Sequence, residues 1–376
     1  MRPGATELDV FFAFSDTPQR RAAFAAAPGV AERYCLFGLD QLRDRGVCVG
    51  HNLERSPGMK ARLAERAANR RLQWRGAWGG ETATVLANRR RMNEADVVFS
   101  TAERVGVPLV LAAWKGLVET PIVFAWVGPL DRLERLRGTI RDTYRDALSS
   151  VACLLTYSEL TANRMREWLR DGGSEPVVRF VPFGVDTTDF RPDTRPSPEV
   201  DVVSVGADAR RDFPLLLALA ERNPDLGVRI VASRHSVPDG DVPANVEVEL
   251  EVSFERMRHA LGAARVVALP VRQNAYTGAT TVLLQAMALG QAVVVSKTHA
   301  IASGYGLADG ENCRLVEPGD LPAFEAATLD LLRDEDARNA LGERARATVE
   351  RSLTWDRYVD SVHGILLEAA QRDFAA

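Results

Sequence analysis

A chain of 376 residues, 46% apolar and 26% charged, exceeds what one ordinary hydrophobic core accommodates and points to two domains. Its formal net charge of -4 argues against wholesale nucleic-acid binding, which needs a basic excess to displace counterions from phosphates. The four cysteines, Cys35, Cys48, Cys153 and Cys313, lack CxxC or short ligand spacing, so a reducing compartment is expected and a disulfide framework or zinc site is not. The opening residues lack the charged region and long apolar run of a signal peptide, and no stretch approaches the roughly 20 apolar residues that span a bilayer. These features together predict a cytoplasmic protein.

In chain order, short apolar runs predict strands at 9–14, 47–50, 96–100, 109–113, 121–127, 152–158 and 177–183. Helices are expected at 29–46, 139–150 and 159–172. Within this half, residues 58–95 gather Lys60, Arg62, Arg66, Arg70, Arg71, Arg75, Arg89, Arg90 and Arg91 around Trp74 and Trp78. Such a segment can lie on an anionic membrane. The preferred reading is a solvated arginine face with the tryptophans packed below it or lining an acceptor cleft.

Pro, Asp and Thr then cluster over 183–201 without apolar periodicity, as in a linker. The pattern restarts after it, with strands at 200–206, 227–233, 246–250, 265–271 and 292–296, helices between them and a further helix at 321–334. Two successive series of strand and helix predict an α/β protein with two doubly wound domains.

The segment "VRQNAYTGATTVLLQAMALG" runs from a strand end into an amphipathic helix beginning near Thr280. That places the loop at the C-terminal edge of a parallel sheet, where open α/β sheets bind ligands. Free N–H groups at the helix start favour an anion, and Gly278 lets main chain approach it. Thr277, Thr280 and Thr281 add hydroxyl donors around Ala279. Gln285, one turn from Thr281 on the same face, can hydrogen-bond a polyol such as ribose.

"VRFVPFGVDTTDFRP" at 178–192 resembles the interdomain signature of family-4 type retaining glycosyltransferases, which have the GT-B fold. The stretch from Tyr276 to Ser296 resembles their donor segment, in which two Glu separated by seven residues precede Ala-Met-Ala-x-Gly. Here Thr277 and Gln285 stand at the two Glu positions. The resemblance implies two Rossmann-like domains facing a central cleft: 1–183 for the acceptor, 184–200 as linker, 201–352 for the nucleotide sugar, and a helix over 353–376 crossing back.

By the same resemblance, Gly206 and a cation from Arg210 or Arg211 contact the donor diphosphate, with Thr277, Gly278, Ala279, Thr280, Thr281 and Gln285. Arg210 and Arg211 would stabilise the departing charge. Asp16, after the first strand, is a general-base candidate, and Ser100, Thr101, Trp126 and Gly128 are expected on the acceptor side. No cofactor or metal is expected beyond a nucleotide-diphosphate sugar as co-substrate, and no Asp-x-Asp motif occurs. The implied partners are that donor and a small-molecule or saccharide acceptor, without nucleic acid. The implied reaction is sugar transfer with retention of configuration. A non-catalytic GT-B binding protein and a sugar-nucleotide epimerase are the alternatives.

Overall fold

The computed structural model describes residues 7–54, 57–170, 177–237, 241–274 and 278–371. The chain divides into two compact units, one of Met1–Val181 with Val359–Ala376 and the other of Pro182–Tyr358.

The first unit is built on β1 (Asp9–Ala13), β2 (Cys48–His51), β3 (Val97–Ser100), β4 (Ile122–Trp126), β5 (Cys153–Thr156) and β6 (Val178–Phe180). All pair in parallel, in the order β2-β1-β3-β4-β5-β6. Every residue of β3, β4 and β5 is buried, which is why these strands read as unbroken apolar runs rather than alternating ones. Phe11, Val98, Phe124, Trp126 and Leu154 belong to the core beneath them. After β2 the chain returns to the other side of β1, so strand order reverses between β1 and β3.

Two expectations for this unit are corrected. Residues 109–113 form no strand but the second half of the helix Glu103–Trp114. That helix is buried on most sides, so its apolar run carries no helical alternation, and Gly106 fits there because a Cβ would overlap the Phe124 ring. The helix expected over 29–46 is instead a 3-10 turn, Ala31–Leu36, and a short helix, Leu39–Asp44. Phe37 and Gly38 break it with φ of 55° and 87°, and a Cβ on Gly38 would sit 2.9 Å from Val359.

The second unit repeats the plan with β7 (Val200–Gly206), β8 (Val228–Ala232), β9 (Val246–Leu250), β10 (Ala264–Leu269), β11 (Val293–Ser296) and β12 (Arg314–Val316). These too are parallel, in the order β12-β11-β10-β7-β8-β9. The reversal falls between β7 and β10. Val202, Ile230, Val266, Val294, Phe213 and Phe324 fill the core between sheet and helices. The expected helices form as Phe213–Arg222, Phe254–Gly262, Thr280–Ala288 and Leu321–Arg333. β12 and the helix Glu335–Ser352 had no counterpart in the sequence reading.

The final helix, Trp355–Gln371, is shared. Its first turn belongs to the second unit, where the Trp355 and Tyr358 rings pack on Phe183 at 5.4 and 5.2 Å. From Val359 onward it belongs to the first, where Arg45 pairs with Asp360 at 2.9 Å.

Candidate functional site

In the second unit, two loops leave the sheet at the strand-order reversal: one follows β7, the other follows β10. This is the position at which open α/β sheets take ligands. Backbone hydrogen bonds tie the loops together. Arg272 N–H donates to the Arg210 carbonyl and Asp212 N–H to the Pro270 carbonyl, both at 2.9 Å. A third anchor is Val271 N–H, which donates to Ser296 Oγ at the end of β11 at 2.9 Å.

This clamp sets the two arginines apart. Arg210 is exposed, and its N–H donates to Asp208 Oδ1. Arg211 is 3% exposed and lays its guanidinium on Gly206, the last residue of β7. A Cβ at Gly206 would lie 2.6 Å from Arg211 Cζ, so only glycine admits the side chain there. The sequence reading left Arg210 and Arg211 as equals, whereas the geometry seats Arg211 against the strand end.

The second loop enters the helix Thr280–Ala288 through Ala279, which has φ of 76° and offers no side-chain cap. A left-handed alanine costs roughly 1–2 kcal/mol, and such strain concentrates at functional positions. Thr280 and Gln285 are buried, yet Thr280 Oγ1 and Gln285 Oε1 have no hydrogen-bond partner among the described residues. An unsatisfied buried oxygen costs about 1–3 kcal/mol, so two beside one uncapped helix start mark a place prepared for a polar guest. Thr281 is half-buried and Gly278 buried. Thr277 lies outside the described residues.

The first unit has an equivalent edge between β1 and β3. Asn52 fixes the β1 exit, its amide accepting from Phe14 N–H at 2.7 Å and donating to Phe14 O at 2.9 Å. Asp16 then receives Arg21 Nη2 at 2.9 Å and Arg62 Nη2 at 3.0 Å. The Arg21 hydrogen bond holds its carboxyl below the usual range, a poor state for a base.

Glu81, which the sequence reading passed over, sits beside it. Its Oε2 accepts Asp16 N–H at 2.9 Å, and its Oε1 faces Arg104 Nε at 3.3 Å without an aligned hydrogen bond. Burial raises the Glu81 pKa above the ordinary 4.5. Ser15, Ser100 and Thr101, from the ends of β1 and β3, are buried with hydroxyls that find no partner among the described residues. No sequence signal singles out Glu81, because its contact spans 65 residues.

Trp126 does not line this edge. It is 1% exposed, its Nε1–H donates to Gly128 O at 2.8 Å, and its ring meets Trp78 edge-on at 5.4 Å. Gly128 N–H and Val127 N–H both donate to Glu103 Oε1. Trp74 departs from the expectation for 58–95, standing 87% exposed rather than packed below. Among the described residues no cluster of three or more His, Cys, Asp or Glu could hold a metal, and no helix is long and apolar enough to cross a membrane.

The family described as Glycosyl transferases group 1 matches residues 211–334, which begin at Arg211 and include the helix Thr280–Ala288. The chain is 26% identical over 252 residues to a GDP-mannose-dependent monoacylated alpha-(1-6)-phosphatidylinositol monomannoside mannosyltransferase of Corynebacterium glutamicum, covering 60% of this chain and 65% of that protein. It is 30% identical over 201 residues to a phosphatidyl-myo-inositol mannosyltransferase of Mycolicibacterium smegmatis, covering 50% of each. The chain therefore spans less than two thirds of the length of either curated relative.

Among solved structures, a glycosyltransferase of Rickettsia africae superposes with a TM-score of 0.69 at 11% identity, covering 98% of this chain and 100% of that one. Sucrose-phosphate synthase of Thermosynechococcus elongatus gives 0.68 at 15%, covering 96% and 98%. Anabaena HepE in complex with UDP-glucose gives 0.67 at 14%, covering 96% and 100%. The fold is GT-B, and residues 211–334 are a glycosyltransferase-type domain.

Proposed function

We propose that this chain is a glycosyltransferase that takes its sugar from a nucleotide-diphosphate sugar held at the C-terminal edge of the second unit's sheet. The observation that carries this reading is the Arg211 guanidinium seated on Gly206, on a loop hydrogen-bonded to the one that opens the helix Thr280–Ala288. A buried arginine fork and free backbone N–H groups suit a diphosphate, and they gain strength in a site closed to water.

In the reaction, the bond between the anomeric carbon and the diphosphate oxygen breaks while the acceptor hydroxyl oxygen bonds to that carbon. The hydroxyl proton passes to the departing diphosphate, and attack from the same face retains the anomeric configuration. The arginine charge takes the role a metal plays elsewhere, so we propose a metal-independent transfer. Gln285 hydrogen-bonds the donor ribose, and Thr280 a phosphate or sugar oxygen.

GDP-mannose is the donor to test first, because the corynebacterial relative is GDP-mannose-dependent. The acceptor we favour is a polyol on a lipid, in place of the free small molecule expected from sequence, because both curated relatives are named for phosphatidylinositol acceptors. Calorimetry with GDP, UDP, ADP and TDP tests the donor half. One diphosphate should bind selectively to the wild type and lose its affinity in Arg211→Ala; no binding by any of the four would overturn the reading.

A further inference from the structure

The helix Met59–Trp74 has no buried residue and carries five bases, Lys60, Arg62, Arg66, Arg70 and Arg71, against one acid, Glu65. Glu65, Asn69 and Leu72 form its inner face. Glu65 Oε2 accepts Ala83 N–H at 2.6 Å, Asn69 bonds Gly80 N–H and O at 3.0 and 2.9 Å, and Leu72 packs on the first unit's core. The helix's only acid is thus turned inward.

Met59, Leu63, Arg66, Arg70 and Trp74, spaced by four, three, four and four residues, fall on one outward stripe. The apolar members are 79%, 57% and 87% exposed. Lys60 and Arg71 flank the stripe, and both are exposed. Three large apolar side chains held in water by a helix whose polar anchors face the other way have no stabilising role within the unit.

We propose that this face docks the protein on an anionic lipid surface, with Met59, Leu63 and Trp74 entering the headgroup layer and Lys60, Arg66, Arg70 and Arg71 pairing with lipid phosphates. The occupant follows from charge and shape together. An anionic polymer would use the cations but leave the tryptophan and leucine in water, whereas an anionic bilayer satisfies both. This deepens the lipid-acceptor half of the proposed function. Donor binding is measured separately, so loss of either reading leaves the other standing.

The experiment is sedimentation of the full chain with vesicles of phosphatidylcholine, with and without phosphatidylglycerol, without donor. The chain should pellet with the anionic vesicles, stay in solution with the neutral ones, and release as salt rises. Arg66→Ser and Arg70→Ser should each lower the partition coefficient about fivefold. Leu63→Ser with Trp74→Ser should lower it about tenfold through lost apolar insertion. Leu63, Arg66, Arg70 and Trp74 are all exposed, so unchanged melting temperatures will show that the variants are folded. Equal partitioning to neutral and anionic vesicles, or binding indifferent to these substitutions, would overturn the proposal. So would salt-sensitive binding to heparin or duplex DNA without binding to vesicles, which would assign the face to a different partner.

Discussion

Arg211 occupies the space that a side chain on Gly206 would need. Gly206→Ala must therefore displace the guanidinium from the strand end. Overpacking of this kind costs about 1–3 kcal/mol, and the variant should also lose any thermal shift produced by the cognate nucleoside diphosphate. Arg211→Lys keeps the charge but not the fork and should weaken diphosphate binding about tenfold, with Arg211→Ala weaker again. Calorimetry that finds equal affinities in all of these removes Arg211 from the donor site.

Gln285 separates a binding role from a structural one. Its buried Oε1 lacks a partner among the described residues, so Gln285→Leu should hold the stability of the unliganded protein to within about 1 kcal/mol of wild type. Diphosphate or donor binding should nevertheless fall at least about tenfold, as expected when a hydrogen-bonding site is lost. A structural amide would behave in the opposite way, with a large fall in melting temperature and unchanged affinity.

Ala279 holds a left-handed conformation at the helix start. Ala279→Gly removes roughly 1–2 kcal/mol of strain and adds about 0.4–1 kcal/mol of unfolded-state entropy, a net gain on the order of 0.5 kcal/mol. Urea denaturation should show that gain. If the strain serves ligand positioning, transfer activity falls in the same variant; a less stable variant contradicts the left-handed assignment.

Glu81 gives a pH signature. Burial raises its pKa in the folded state above the ordinary 4.5, so the folded protein binds the proton more tightly than the unfolded chain. This group's contribution therefore declines as pH rises from 4.5 through the folded value. Glu81→Gln should be more stable than wild type at neutral pH, and the difference should vanish near pH 4. If Glu81 also meets the acceptor, the variant loses activity while nucleoside-diphosphate binding is unchanged. A stability difference that is constant with pH would mean that the carboxyl is not penalised by burial.

Much of the second unit was legible because its central strands are buried on both faces and its helices are amphipathic, so apolar runs and periodic segments alternate cleanly. Val200–Gly206 matches the expected span for that reason, whereas Val246–Leu250, at the sheet edge, is legible from the Val-Glu alternation of a half-exposed strand. The helix Glu103–Trp114 was misread because burial on most sides erases the alternation that distinguishes helix from strand. At the site, a cation near Gly206 was foreseeable, but the choice of Arg211 depends on the pairing of residues 210–212 with 270–272. The charge of the helix Met59–Trp74 was equally plain in sequence. The direction its tryptophan faces depended on where Glu65 and Asn69 found partners.

The first unit is assembled from two stretches of chain, with all of the second unit between them. Gly38 is shaped to receive Val359, and Arg179 pairs with Glu368, so the N-terminal sheet meets some of its packing partners only in the last helix. During synthesis, residues up to Val181 leave the ribosome with that surface uncovered and wait for an independent unit to be made before they can close. The second unit is one continuous stretch, whereas the N-terminal half keeps part of its packing surface open until the final helix has been made.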